Sequence, residues 1–303
     1  MRKRICSIII ATALLSSLLS ACGSKPVAEE PPAPPMEEQT NLSNQTPAPQ
    51  PPVQKQKDEA QPAAPEETPD AAAAEYDFSQ PVPESAAVDN SYFEDAAFIG
   101  DSRTDGFLIY SGIGCGENLT SNGLSIFKLA EKKAITIDGK QYTLLEALAL
   151  KQYGKVYLSL GINELGYYDD QGFYDSYCQA IDLIRECQPN AVIYIQGLIP
   201  LNEDVIAETG GASYLKNDHL LVYNDLMKKV AEEKQVAFLD LNPVFTDENG
   251  QLPREASADG VHLRKAYCEQ WLDYLKTHTV SYDTLYPSDS SSAGDASASS
   301  AQP

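Results

Sequence analysis

The sequence predicts one α/β domain built on a parallel sheet with helices against both faces. Two observations carry that expectation. Between residues 92 and 280, short apolar runs rich in β-branched and aromatic residues alternate with longer segments of helical period. Each well-formed run is also followed by a loop holding Gly, Asn, Asp or Pro. The first expected strand is Ala96–Gly100 (AAFIG), and a weaker one is expected around residues 119–121 or 134–137. Residues 143–153 then read as a helix and 156–160 (VYLSL) as the next strand. In the helix expected over residues 173–188, Phe173, Tyr177, Ile181, Ile184 and Gln188 share one face, and Pro189 ends it. A strand at Val192–Gln196 (VIYIQ), a helix over 219–235, a strand over 236–241 and a helix over 264–278 complete the alternation. An open parallel sheet carries its chemistry just beyond the carboxyl ends of its strands, so functional residues are sought in the loops that follow these runs.

The flanks differ from this region. Fourteen of the 20 prolines lie between Pro26 and Pro83, in a stretch with almost no bulky apolar residues, which cannot bury a core. Residues 1–21 join three positive charges to an uncharged apolar run and then small residues, the pattern of a secretory signal and too short for a permanent span. Leu19-Ser20-Ala21-Cys22 resembles the lipobox of bacterial lipoproteins, in which the cysteine is lipidated and becomes the new N-terminus. That resemblance implies a membrane partner, engaged through a lipid anchor on Cys22 at the extracytoplasmic surface. Residues 22–90 are then the lipidated cysteine and a disordered Pro/Glu/Ala-rich tether. Its reach lies between about 45 Å as a coil and about 210 Å extended. Residues 91–280 form the folded domain, and residues 281–303 a Ser/Ala-rich tail expected to be disordered.

Charge and motif content exclude several classes of function. With 44 acidic against 22 basic side chains, and no basic segment beyond the extreme N-terminus, the chain lacks the clustered Lys and Arg of a phosphate-tracking nucleic-acid binder. No Cys-x-x-Cys, His-x-x-x-His or His-Glu-x-x-His occurs, so no metal site is expected. Gly112, Gly114 and Gly116 lack the last glycine of a dinucleotide fingerprint, and no cofactor is expected. Cys115, Cys178, Cys187 and Cys268 would lie in an exported domain where oxidation occurs. Cys178 and Cys187 fall on opposite faces of one expected helix and cannot bridge each other. A longer pair such as Cys178 with Cys268, or four buried free thiols, are the alternatives. The tyrosines at 167, 168, 174 and 177 suit either sugar stacking or the core and its rim.

Three short motifs fall at strand ends. The first strand runs into Gly100-Asp101-Ser102-Arg103, where a tight turn presents the serine hydroxyl together with backbone N–H groups. The strand over 156–160 leads into Gly161-Ile162-Asn163-Glu164, whose asparagine carboxamide can donate to an oxyanion or cap a turn. Asp259-Gly260-Val261-His262 stands directly before the last helix. A separation of three on a helical turn lets the carboxylate hold one ring nitrogen and leave the other free to take a serine proton. His219 and His278 lack a serine motif and read as structural.

The order, spacing and common location of these motifs resemble the SGNH, or GDSL-type, hydrolase family over residues 95–278. Gly100, Asp101 and Ser102 match its first block, Gly161 and Asn163 its third, and Asp259 and His262 its fifth. The resemblance implies a single three-layer α/β/α domain with a mostly parallel, flavodoxin-like sheet. It further implies a Ser102–His262–Asp259 triad and an oxyanion hole formed by the N–H groups of Ser102 and Gly123 and the Asn163 amide. Gly112, Gly114 and Gly116 are the alternatives to Gly123. Two departures stand out: Arg103 replaces the leucine of the motif, which would bias the site toward a negatively charged or polar acyl donor, and Glu164 replaces a frequent aspartate. Because Thr104 breaks Gly-x-Ser-x-Gly, an α/β-hydrolase elbow is disfavoured. The function implied is a surface-anchored serine esterase, with O-acetyl groups on cell-wall or other polysaccharide as a suggested substrate. The alternatives are an acyltransferase using the same acyl-enzyme, or a non-catalytic glycan- or solute-binding lipoprotein on the same scaffold.

Overall fold

The computed structural model describes residues 75–287, all within one compact unit. Five parallel strands form the sheet: β1 (Ala96–Gly100), β2 (Glu117–Thr120), β5 (Lys155–Ser159), β6 (Val192–Gln196) and β7 (Ala237–Leu239), in the order β2-β1-β5-β6-β7. The remaining strands, β3 (Ile135–Ile137) and β4 (Lys140–Tyr142), make a separate antiparallel hairpin. Strand order reverses between β1 and β5, which opens a crevice at their carboxyl ends.

Burial on both faces explains the unbroken apolar runs of β1 and β6, every residue of which is buried. Side chains still alternate. Ala97, Ile99, Val156, Leu158, Ile193 and Ile195 point to one face, where α3 (Asp170–Cys187) and α5 (Asn217–Lys234) supply Phe173, Tyr177, Ile181, Leu220, Tyr223 and Met227. Phe98, Tyr157 and Tyr194 point to the other and stand in register, with ring centroids 4.9 and 4.6 Å apart. Against that aromatic ladder pack Phe107 of α1 (Ser102–Tyr110) and Trp271, Leu272 and Leu275 of α7 (Lys265–Thr277). The Trp271 indole donates to Gln196 Oε1 across 2.9 Å, so its polar edge is satisfied inside the core.

Several elements depart from expectation. The helix expected over residues 143–153 is only α2 (Leu144–Leu148). Thr143 and Glu146 form a capping box at its start, while the Gln188 carboxamide donates to the Leu148 and Lys151 carbonyls and ends it early. Helices α1, α4 (Glu203–Glu208), α6 (Asn242–Phe245) and α8 (Tyr282–Leu285) were not expected. The folded region also outruns the expected bounds of 91 and 280 at both ends. Val82 is buried and donates its N–H to the Phe238 carbonyl on edge strand β7. The N–H groups of Ser85 and Val88 satisfy carbonyls at the end of α7, and Phe78 stacks on Tyr286 beyond α8. The signal, the lipobox Cys22, most of the tether and most of the tail lie outside the described residues. Among the described residues no helix is long and apolar enough to cross a membrane.

Candidate active site

Three loops meet at the crevice. The turn from β1 into α1 delivers Ser102 as the first residue of the helix, behind Asp101, whose carboxylate caps α1 by accepting from the Arg103 N–H at 2.9 Å. Gly100 is required here for space and not for a special turn: a Cβ would sit 2.1 Å from Thr104 Oγ1. From the end of β5 a single 3₁₀ turn, Ile162–Glu164, brings Asn163 across the crevice. The third loop, before α7, carries Asp259 and His262.

These residues form one continuous chain. Ser102 Oγ lies 2.9 Å from His262 Nε2, and Asp259 Oδ2 lies 2.7 Å from His262 Nδ1. The pairing does not come from a helical turn, as the spacing suggested. Asp259 Oδ1 instead accepts from the backbone N–H groups of Val261 and His262 at 2.9 and 2.8 Å, so the carboxylate folds its own loop around itself. Gly260 makes that loop possible: its φ is +81° and a Cβ would lie 2.4 Å from the Asn202 carbonyl. The Ser257 hydroxyl adds a contact to Asp259 at 3.0 Å and donates to the His262 carbonyl at 2.7 Å, a support the motif did not reveal. Burial would raise the Asp259 pKa, but the His262 ring and the two backbone N–H groups outweigh it and hold the carboxyl well below its usual range. It is therefore ionised at neutral pH.

Asp101 and Asn163 tie the two sides of the crevice together. The Asn163 amide donates to the Leu124 carbonyl at 2.9 Å and, over a longer 3.3 Å, to Asp101 Oδ2. Asp101 is almost wholly buried, and burial pushes its pKa up to about 6. Gly123 lies in the turn after β2, closed by the Leu124 N–H on the Ser121 carbonyl, and among the described residues no protein group accepts from its own N–H. Gly112, Gly114 and Gly116 precede β2 and so lie at the sheet's amino edge, away from Ser102. Gly123 is thus the glycine of this set at the strand ends. Its neighbour Asn122 lines a cleft of about 320 Å³ with Ser102, His262, Ile109, Tyr110 and Leu263.

Arg103 does not do what its position next to Ser102 suggested. Its guanidinium turns inward, is buried, and donates to the Ile199 carbonyl at 2.8 Å and more weakly to the Pro200 carbonyl. It braces the loop after β6 and does not present charge to an acyl group. The four described cysteines are all free, and only Cys268 is fully buried. Cys178 on α3 and Cys268 on α7 stand on opposite faces of the sheet, so the suggested pair is excluded. Tyr177 is core and donates to the Leu160 carbonyl, whereas Tyr167 and Tyr168 are exposed at the rim. His219 bridges the Leu165 carbonyl and Asp170, and His278 meets the Tyr274 carbonyl at the end of α7.

Glu164, in the motif no more than a departure from a frequent aspartate, holds the loop after Gly123 in place. It is fully buried, accepts the Ile126 N–H on Oε1 and leaves Oε2 without a hydrogen-bond partner among the described residues. Burial pushes its pKa up to about 7. An unfolded glutamate titrates near 4.3, so between that value and about 7 the folded state holds a proton that the unfolded state has released. The stability associated with the protonated carboxyl is complete below the lower value and is lost as pH rises through the upper one. Glu164→Gln keeps the protonated shape and is expected to remove this slope. By urea unfolding at pH 5 and pH 8, the wild type should lose more stability than the variant by on the order of 3 kcal/mol. Equal losses would disprove the assignment.

Comparison with known proteins agrees with this architecture. The GDSL-like Lipase/Acylhydrolase family matches residues 98–266. An isoamyl acetate-hydrolyzing esterase of Saccharomyces cerevisiae is 26% identical over 117 residues, covering 36% of this chain and 49% of that one. The match thus spans about half the length of that relative. A solved structure from Streptococcus pneumonia, named for platelet activating factor, superposes with a TM-score of 0.50 at 22% identity, covering 66% of this chain and 86% of the other. That likeness establishes the fold.

Proposed function

Because the chain belongs to the GDSL-like lipase/acylhydrolase family, we propose that it is a serine esterase in which Ser102, His262 and Asp259 carry the reaction. The observation that supports this most is the unbroken run of short contacts from Asp259 Oδ2 through the His262 ring to Ser102 Oγ, at 2.7 and 2.9 Å. Asp259, ionised at neutral pH, keeps the proton on Nδ1 and leaves Nε2 free to take the hydroxyl proton as Ser102 Oγ attacks the ester carbonyl. The tetrahedral oxyanion is held by the N–H groups of Ser102 and Gly123 and by the Asn163 amide. Ser102 sits at the N-terminus of α1, where the helix dipole favours the same charge. Collapse expels the alcohol, which leaves with the proton from His262, and a water activated by the same ring frees the acid.

The acyl group we assign is short, such as acetyl, and the alcohol is a carbohydrate hydroxyl. Lipidation of Cys22 would hold the enzyme at the extracytoplasmic face of a membrane, with the proline-rich tether carrying it toward cell-wall or other polysaccharide. Labelling of the full chain with a serine-directed fluorophosphonate tests the chemistry. One equivalent of label is expected, mapping to Ser102. Labelling elsewhere, or none, would refute the mechanism. For the anchor, Cys22→Ser is expected to shift the protein from the membrane fraction to the soluble one; an unchanged distribution would remove Cys22 from the reading.

A further inference from the structure

The cleft over Ser102 does not end at the nucleophile. A second cavity of about 330 Å³ adjoins it, and the two share Asp105 and Asn122 as a common wall. On one side this second cavity is bounded by Asn118, Thr120 and Ser121, at the end of β2. Its other side is Ala134, Ile135 and Thr136, leading into and along β3. The hairpin β3–β4 takes no part in the main sheet, and here it supplies a wall.

The lining is chemically selective. Hydroxyls and carboxamides dominate it, and Asp105 is its one ionisable side chain. These groups are already fixed: Asp105 Oδ1 accepts from Asn118 Nδ2 at 3.0 Å, and Asn118 Oδ1 accepts the Thr120 N–H at 3.0 Å and the Thr120 hydroxyl at 2.6 Å, with Asp105 Oδ1 a longer 3.2 Å from that hydroxyl. Asp105 Oδ2 takes no hydrogen bond from the described residues, so an acceptor is left for a ligand hydroxyl. A phosphate headgroup finds no Lys or Arg in this lining and would meet a carboxylate. An acyl chain finds mostly polar walls, and a quaternary ammonium finds no aromatic face. Neutral polyols suit it: a ring that donates hydroxyls to Asp105 and exchanges hydrogen bonds with Asn118, Asn122 and Thr136.

We propose that this cavity binds the saccharide whose ester is presented to Ser102, with the hairpin β3–β4 as the far wall of the sugar site. The inference rests on the esterase reading of Ser102. In the reaction the bond between the acyl carbon and the sugar oxygen breaks, the acyl group passes to Ser102 Oγ, and the sugar hydroxyl leaves carrying the His262 proton. The apolar part of the first cleft, at Ile109, Tyr110 and Leu263, then faces the acyl side.

Two measurements on the full chain test it. The first compares acetylated xylo-oligosaccharide with 4-nitrophenyl acetate in wild type, Asn118→Ala and Thr136→Trp, the last chosen to fill the cavity. The ratio of the two kcat/KM values is expected to fall by at least about tenfold in each variant. An unchanged ratio would overturn the proposal. The second is calorimetric titration of Ser102→Ala with unacetylated oligomers of xylose, glucose and N-acetylglucosamine. Binding of at least one oligomer, abolished by adding Thr136→Trp, is expected. No binding by any of them overturns the sugar site, whereas binding by Ser102→Ala together with no fluorophosphonate label on Ser102 of the wild type would uphold the site and refute the esterase mechanism alone.

Discussion

Ser102→Ala is expected to lower kcat for a short acyl ester by about a millionfold, and His262→Ala by about as much, with the double variant no worse than either. The non-additivity follows from the geometry. Ser102 Oγ and His262 Nε2 are 2.9 Å apart and share one proton transfer, so removing either end removes the whole step. Asp259→Asn tests a different link and is expected to cost about ten-thousandfold. Its amide would place an N–H donor against the ring nitrogen that now donates to Asp259 Oδ2 at 2.7 Å, turning the imidazole to the wrong tautomer. It would leave the bonds from the Val261 and His262 backbone to the other oxygen, so the loop should survive. Steady-state kinetics with 4-nitrophenyl acetate, alongside far-UV circular dichroism to verify folding, read both effects. A Ser102→Ala protein retaining more than a hundredth of wild-type kcat would contradict the covalent mechanism.

The parts of this molecule that were legible in the sequence are those determined locally. Strands β1 and β6 are runs of five apolar-rich residues because both faces of the sheet are covered, and their ends coincide with those the sequence predicts. The amphipathic face of α3 carried the same kind of signal. Helix α1 did not: SRTDGFLIY mixes charge, a central glycine and a short apolar end, and it is held by the Asp101 cap and by packing of Phe107 against Trp271. Of the candidate site, Ser102, Asn163, Asp259 and His262 were legible because each follows or precedes a recognisable element at a recurring spacing. The groups that set their environment were not. Arg103 satisfies carbonyls almost a hundred residues away, and Glu164 holds a loop 38 residues earlier in the chain. Contacts of that range leave no periodicity. The N-terminal bound of the folded region differs from the expected one for a related reason: the segment around Val82 looks like tether in composition, yet it packs on the edge of β7 through the Val82 N–H and on the end of α7 through those of Ser85 and Val88, contacts that carry no sequence signature.

Asn163→Ala is expected to lower kcat about a hundred- to a thousandfold while leaving KM nearly unchanged, the pattern of a donor that acts on the transition state alone. In the resting structure both amide protons are engaged, but unequally. The 2.9 Å bond to the Leu124 carbonyl fixes the orientation of the amide, whereas the 3.3 Å contact to Asp101 Oδ2 is long enough to be exchanged. A full oxyanion forming on the bound ester is the stronger acceptor, and turning the second proton toward it costs little reorganisation. Alanine also strips Asp101 of its partner, and an unpaired buried acceptor costs about 1–3 kcal/mol, so kcat is to be compared at equal folded fraction. Asn163→Asp separates the two effects. It preserves volume but replaces the donor with a second carboxyl beside one whose pKa burial has already pushed up to about 6. Its kcat is expected to fall at least as far as that of alanine, and its ratio to the wild-type kcat at the same pH is expected to recover in part as pH is lowered and the new carboxyl becomes a donor. An Asn163→Ala protein with unaltered kcat would leave the oxyanion to backbone N–H groups alone and reduce Asn163 to a tie between the two sides of the crevice.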